Sequence, residues 1–209
     1  MKPILASTLF LISTSAFANC ENLKSCVEEA SVISGVSYIG AVDLNQKNFI
    51  SDSFSLNKEN VDKSISVLLN QHGYTRININ EKTKLIIPAR DVRYSNIESI
   101  NWTGDTNDIP DLSDYFLLTY PLKNQESLPY MTRALRPFLS RYGRIIEQVT
   151  SSTIIVQDTG LNLRKIAGLI KKIDQPFDEQ KVRDIEKKMK HTNRENKSNK
   201  EGHGRKRNP

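Results

Sequence analysis

Apolar residues recur along this chain at two different periods, and the switches between them mark out its elements. In 21–34, Leu23, Cys26, Val27, Ala30 and Ile33 fall at three- and four-residue intervals. That is the spacing of a helix with one buried stripe, and Gly35 follows where such a helix stops. Residues 36–42 read as a short strand, 43–48 as a polar turn and 49–54 as a further strand. Asn57 is placed to cap a helix that carries Val61, Ile65, Leu68 and Leu69 on one side and ends at Gly73. The period then falls to two. Ile77 and Ile79 alternate with Asn78 and Asn80, which predicts a strand over 74–79 with one buried and one wet face. A polar turn at 80–83 leads to its partner at 84–88.

Residues 91–114 are polar, contain Gly104 and Pro110, and are expected to form a linker. Trp102 lies alone in it and is expected to pack against a neighbouring domain rather than to recognise a ligand. Regular patterning resumes at 115–122, a buried strand. A helix after Asn124 would turn Leu128, Met131, Leu135, Phe138 and Tyr142 inward. Pro129 fits its first turn, whereas Pro137 removes a hydrogen bond and should kink or shorten it. Residues 144–150 and 153–157 form a hairpin whose second arm, Ile154-Ile155-Val156, reads as a central strand. A last helix over 161–173 turns Leu163, Ile166, Ile170 and Ile173 inward and stops at Asp174-Gln175-Pro176. The fold class is therefore α+β, in two small domains at 19–90 and 115–176 joined by the linker 91–114. Val182, Ile185 and Met189 give 178–190 only a narrow helical stripe, and beyond His191 the chain is expected to be disordered.

The first residues change the picture. Met1-Lys2, an apolar run at 3–12 and the ending Ala16-Phe17-Ala18 have the layout of a secretory signal peptide over 1–18, with cleavage after Ala18. The run is shorter than the roughly 20 residues that cross a bilayer. Acylation of Cys20 as a lipoprotein is the competing reading, disfavoured by Asn19 in front of it. Export implies oxidising surroundings, so Cys20 and Cys26 are expected to form a disulfide. Zinc ligation is the weaker alternative, since no histidine or second thiol pair stands nearby. Charge is uneven. The segment 177–209 holds eleven basic and six acidic residues, +5 of the chain's +6. The body is therefore near neutral and offers no basic groove for nucleic acid.

Several motifs in 115–176 resemble, in order, the periplasmic domain repeated in front of the pore in secretins, the outer-membrane channels of type II, type III and pilus systems. Tyr120-Pro121-Leu122-Lys123-Asn124 is similar to its opening strand and Leu135-Arg136-Pro137-Phe138-Leu139 to its first helix. Ser152-Thr153-Ile154-Ile155-Val156-Gln157-Asp158 resembles its Asn-x-Leu-Ile-Val-x-Asp strand, with Ser-Thr in place of Asn-x. Asn162-Leu163-Arg164-Lys165-Ile166 and Ile170-Lys171-Lys172-Ile173-Asp174 resemble its closing helix. In the first unit, residues 56–70, then His72-Gly73-Tyr74 and Leu85-Ile86-Ile87-Pro88, resemble the first N-terminal domain of secretins, shared with the signalling domain of some TonB-dependent receptors. The resemblance implies a βαββα, KH-like second domain and a protein that docks or forms rings. It implies secretin or other secretion and pilus subunits as partners, copies of itself among them. No segment resembles the family's pore-forming domain.

Catalytic signatures are missing from the sequence. His72, His191 and His203 have no metal-ligand spacing, and no nucleophile elbow, phosphate loop or His-Glu-x-x-His motif occurs. The expectation is no enzyme, no cofactor and no metal. KH domains share the βαββα order, but they clamp nucleic acid with a Gly-x-x-Gly loop that 115–176 does not contain. The strand 115–122, taken as an edge, and the helix 161–173 are the expected contact surfaces. The basic tail is suited to weak contact with anionic membrane surfaces. The expected location is the periplasm, with outer-membrane association through a partner. A binding or sensing module that holds an exported substrate or peptidoglycan is the alternative reading.

Overall fold

Both periods are realised as the sequence requires, but the faces they serve differ in one unit. The structure, a computed structural model, describes residues 20–40, 43–44 and 54–176, together with 178, 180 and 183. The export signal at 1–18 and the disorder expected beyond residue 191 lie outside the described residues. So do most of the strand expected at 49–54 and most of the helix expected at 178–190.

Helix α1 (Leu23–Ser34) opens on a reciprocal cap, in which the Asn22 side chain accepts from the Ser25 N–H and the Ser25 hydroxyl accepts from the Asn22 N–H. It closes at Gly35, whose φ of 70° is left-handed, the backbone region glycine occupies without steric cost. Strand β1 (Ser37–Ile39) follows. Helix α2 (Val61–Gln71) begins later than Asn57 suggested. Asn57 instead binds the N–H groups of Glu59 and Asn60 in the preceding turn, and its carbonyl accepts from Val61. Strands β2 (Tyr74–Asn80) and β3 (Thr83–Pro88) pair antiparallel, β1 joins β3 in parallel, and the order is β1-β3-β2.

The second unit contains one strand more than the five-element pattern. β4 (Ser99–Asn101) precedes β5 (Tyr115–Pro121), α3 (Leu128–Leu135), β6 (Arg144–Gln148), β7 (Thr153–Thr159) and α4 (Gly160–Ile173). The strand order is β4-β5-β7-β6, with β4 parallel to β5. β5 is thus interior and not the edge it was expected to be; the edges are β4 and β6. As its β-branched run suggested, β7 is central. Pro137 has the expected effect. Helix α3 ends at Leu135, and residues Arg136–Phe138 form a single 3-10 turn. For that reason Phe138 is exposed and Tyr142 leaves the helix face it was assigned to.

Phe116, Leu118 and Tyr120 of β5 share one sheet face with Ile154 and Val156 of β7. These five, with Leu128, Met131, Leu135, Leu163, Ile166 and Ile170 from α3 and α4, are all buried in a single core. The segment 91–114 is not a free linker. It supplies β4 and also Trp102, which is 1% exposed, packs against Tyr120 with centroids 4.9 Å apart and planes tilted by 45°, and donates Nε1–H to the Asp105 carbonyl at 2.6 Å. Trp102 packs within its own sheet's core because the β4–β5 ladder carries it there, the Trp102 N–H donating to the Thr119 carbonyl at 3.0 Å.

Trp102→Ala should therefore behave as a core truncation, costing about 3–5 kcal/mol in a chemical-denaturation curve. A cost below about 1 kcal/mol would show the indole to be peripheral.

Candidate functional site: the seam between the units and the free sheet surfaces

The helix-covered face of the first sheet is set by register. Ile86 of β3 lies buried against α1 and α2, and its cross-strand partner on β2 is Arg76. Arg76 therefore faces the helices, while Ile77 faces the other way. The alternation Ile77–Asn78–Ile79 correctly marked a strand, but the helices cover the opposite side from the isoleucines. Thr75, Arg76 and Ile77 are all buried because β2 is covered on both faces at this point, by α2 on one side and by 110–115 with the second unit on the other.

Arg76, 3% exposed, uses all of its guanidinium. Nε donates to both Asp114 carboxylate oxygens at 3.0 and 3.1 Å, and Nη2 to Asp114 Oδ2 at 2.6 Å. Nη2 also reaches the Asp62 carbonyl at 3.0 Å, and Nη1 reaches Asp62 Oδ1 at 2.8 Å and the Tyr38 hydroxyl at 3.4 Å. The Arg76 backbone N–H adds a bond to Asp114 Oδ1. Lys84 completes the cluster on Asp62 Oδ1 at 2.7 Å. Burial alone would lower the Arg76 pKa, but the hydrogen bonds and charge of Asp114, with Asp62 behind it, hold it well above the usual value. Burial likewise pushes Asp62 up, and it is outweighed by Arg76 and Lys84, which hold the carboxyl below 3.8.

Asp114 ends a strut, residues 110–114, wedged between α2 and the start of α4. Ser113 N–H donates to Ser66 Oγ at 3.0 Å, and Asn70 Nδ2 donates to the Ser113 carbonyl at 3.3 Å. Asp111 pairs with Lys63 of α2 and, at 3.6 Å, with Arg164 of α4. On the far side the Asp114 and Leu112 carbonyls accept from the N–H groups of Gly160 and Leu161 at 3.0 and 2.9 Å. Gly160 is required there, since a Cβ would collide with the carbonyls of Pro110 and Leu112. About 90 Å³ of cavity remains at this seam, bordered by Arg76, Lys84, Glu98, Pro110 and Tyr115. That is small beside the roughly 300–1,000 Å³ of ordinary ligand pockets.

Two further aspartates pin the second unit. Asp158, fully buried, accepts from the Ser140 N–H and Asn162 Nδ2, both at 2.8 Å. Asp174, 4% exposed, accepts from the Tyr120 hydroxyl and from the N–H groups of Lys123 and Asn124, each at 2.9 Å. Burial first, then the hydrogen bond to Asp174 and its charge, push the Tyr120 pKa up to about 12.

Among the described residues, parts of each sheet stay exposed on the side away from its helices. On the first sheet, Ile39, Leu85 and Ile77 form one cross-strand row whose Ile77 end is buried at the seam. Ile39 is 50% exposed, and Ile79, at the β2 bulge, 55%. On the second, β6 has no strand on its outer edge among the described residues, and Ile146 and Val149 are exposed there. Helix α4, one of the expected contact surfaces, buries Leu163, Ile166 and Ile170 and presents Lys165, Lys171 and Lys172 outward.

Cys20 and Cys26 are joined in a disulfide, buried against Leu23 and the first core. His72 is the C-cap of α2 and half-buried, while His191 and His203 lie outside the described residues. Among the described residues no three His, Cys, Asp or Glu side chains gather as a metal site would need. No helix among them is long and apolar enough to cross a membrane. Sequence reading missed the Arg76–Asp114 pair. Its only local sign was a long cation on the strand position beside Ile77, indistinguishable from a solvated one.

No family model and no curated protein matches the chain. Solved structures do. The outer-membrane complex of the Klebsiella pneumoniae type II secretion system, with PulD, PulS and the PulC HR domain, matches at TM-score 0.60 and 15% identity, over 79% of this chain and 27% of that chain. The N-terminal domain of the secretin XcpQ from Pseudomonas aeruginosa matches at 16% identity and TM-score 0.28, over 77% of this chain and 65% of that chain. The GspC–GspD complex of enterotoxigenic Escherichia coli matches at 14% identity and TM-score 0.27, over 76% and 95% of the two chains. This chain thus spans less than two thirds of the first two. The match at 0.60 shows that the chain shares its α+β fold with part of that outer-membrane complex; the other two superpose too loosely to add to it.

Arg76→Met should cost about 3–5 kcal/mol in denaturation, because it leaves the Asp114 carboxylate buried and unpaired. Arg76→Met with Asp114→Asn should recover part of that loss, and equal costs for the single and double variants would show that the pair is not its source. Asp62 is depressed in the folded state, so its contribution is complete above about pH 4 and falls as pH drops through the folded value. Asp62→Asn should accordingly flatten the acid limb of a stability–pH profile. Tyr120 runs the other way. Its raised pKa contributes stability below about pH 10 that is lost as pH climbs toward about 12. The difference in phenolate absorbance between the protein and Tyr120→Phe should rise near pH 12; a rise near 10 would contradict a buried, Asp174-bonded hydroxyl.

Proposed function

We propose that this chain is a periplasmic subunit of a protein-secretion or pilus-assembly system, exported by residues 1–18, that works by docking to other subunits and not by catalysis. The observation that carries the reading is the fold, shared at TM-score 0.60 with a type II secretion outer-membrane complex. That complex contains PulD with PulS and the PulC HR domain. By analogy, this chain's partners are a secretin, an inner-membrane component of the same apparatus or further copies of itself, and its outer-membrane association runs through them.

The free surfaces support docking. Among the described residues, exposed Ile39 and Ile79 on the first sheet and the unpaired outer edge of β6 are what face-to-face and edge-to-edge packing use. The basic tail, residues 177–209, is available in sequence for anionic membrane surfaces but is not needed for this role.

The test is cross-linking of a tagged full chain in intact envelopes, followed by identification of what co-purifies. Secretion-ring or inner-membrane subunits are expected. Ile39→Glu, at an exposed position that should not alter folding, should lower their recovery about five-fold or more if the first sheet's face is used. Recovery of an exported substrate or peptidoglycan in place of subunits would overturn the reading in favour of a holding or sensing module.

A further inference from the structure

Four arginines converge on one cleft that the seam and the docking faces do not use. The 3-10 turn Ala89–Tyr94 contributes Arg90 and Arg93, the loop from α3 into β6 contributes Arg141, and β6 itself contributes Arg144. They line about 200 Å³ of open cleft with Val92 and Tyr142 at its base. The base is built. Val92 is 1% exposed and packs with Ala89, Tyr115 and Tyr142 in a small apolar cluster that holds the turn and the loop together. Arg90, Arg93 and Arg141 are exposed, whereas Arg144 is half-buried with Nε on Gln157 Oε1 at 2.9 Å.

The charge is left almost unanswered within the chain. Asp91 reaches Arg90 at 3.8 Å with both groups in solvent. Arg93, Arg141 and Arg144 take part in no ion pair among the described residues; Arg93 and Arg141 rest on the rings of Tyr94 and Tyr142. Four guanidiniums against one carboxylate, on two elements fixed by a shared core, make a preorganised site for oxyanions, which the planar fork binds in pairs of hydrogen bonds. Its position says more. Arg144 is the first residue of β6, whose outer edge is unpaired among the described residues, and exposed Ile146 and Val149 continue away from the cleft along that strand and the turn after it. A free phosphate would use the arginines alone, whereas an extended chain would use the arginines, the edge and Ile146 together.

We propose that this cleft receives an acidic peptide segment of a partner protein, its carboxylates on Arg90, Arg93, Arg141 and Arg144 and its backbone running toward the edge of β6. The proposal deepens the docking reading above by naming a surface and the chemistry of what it grips.

The probe is a fluorescein-labelled hexaglutamate peptide, titrated against the full chain by anisotropy. The variant carries Arg90→Gln, Arg93→Gln and Arg141→Gln; Arg144 is kept because it bonds Gln157. A control carries Lys24→Gln and Lys58→Gln, remote from the cleft in sequence and in element. The triple variant should weaken binding about ten-fold or more with its melting temperature unchanged, and the control should not. Binding should also fall steeply with added salt. Equal binding by the triple variant would place the interaction elsewhere, on the basic tail first, and overturn the proposal. Inorganic phosphate displacing the peptide at equal molar concentration would overturn it in favour of a small-oxyanion site. Either failure leaves the co-purification result standing, so the two readings fall separately.

Discussion

A guanidinium withdrawn from water costs several kcal/mol unless its charge is answered and its donors are all used. Arg76 meets both conditions with groups from three places: the Asp62 side chain and carbonyl at the start of α2, the Tyr38 hydroxyl on β1, and the Asp114 carboxylate at the mouth of β5. The planar fork holds Asp114 side-on through Nε and Nη2. Together with the Ser113–Ser66 and Tyr115–Thr75 bonds, that pair sets where β5 begins relative to the first sheet. Asp114 extends the constraint, because its carbonyl also takes the first N–H of α4.

From that seam the rest of the layout follows. With Arg76 turned toward α2, register places Ile77 and Leu85 on the side away from the helices, where the seam buries Ile77 while Ile39 stays half exposed on β1. In the second unit the same logic gives an ordinary result. Phe116, Leu118 and Tyr120 turn toward α3 and α4, and buried Asp158 and Asp174 tie the helix ends to the loops with backbone donors. The aspartates that close two of the secretin-like motifs are thus structural anchors. Each satisfies N–H groups that would otherwise be buried without partners.

In this chain the buried Arg76, Asp114, Asp158 and Asp174 are spent on the seam and on helix ends. Its open features are a sheet face, a strand edge and a patch of arginines, each of which acts only when another surface arrives.

Local sequence determined what depends on neighbours a few residues apart. The stripe Leu163–Ile166–Ile170 made α4, alternation made β2, Gly35 and Gly73 ended helices, and Pro137 cut α3 short, since period, left-handed φ and a missing N–H are properties of the chain itself. The two-unit α+β class and the secretin likeness were legible for the same reason. Which side of β2 meets the helices, that Trp102 enters a core, that β5 is interior and that Arg76 meets Asp114 were decided only in three dimensions. Those outcomes depend on register and on pairings between residues far apart in the chain, such as Arg76 with Asp114 and Tyr115 with Thr159. A lysine, arginine or tryptophan in a polar run reads the same locally whether water or another strand covers it.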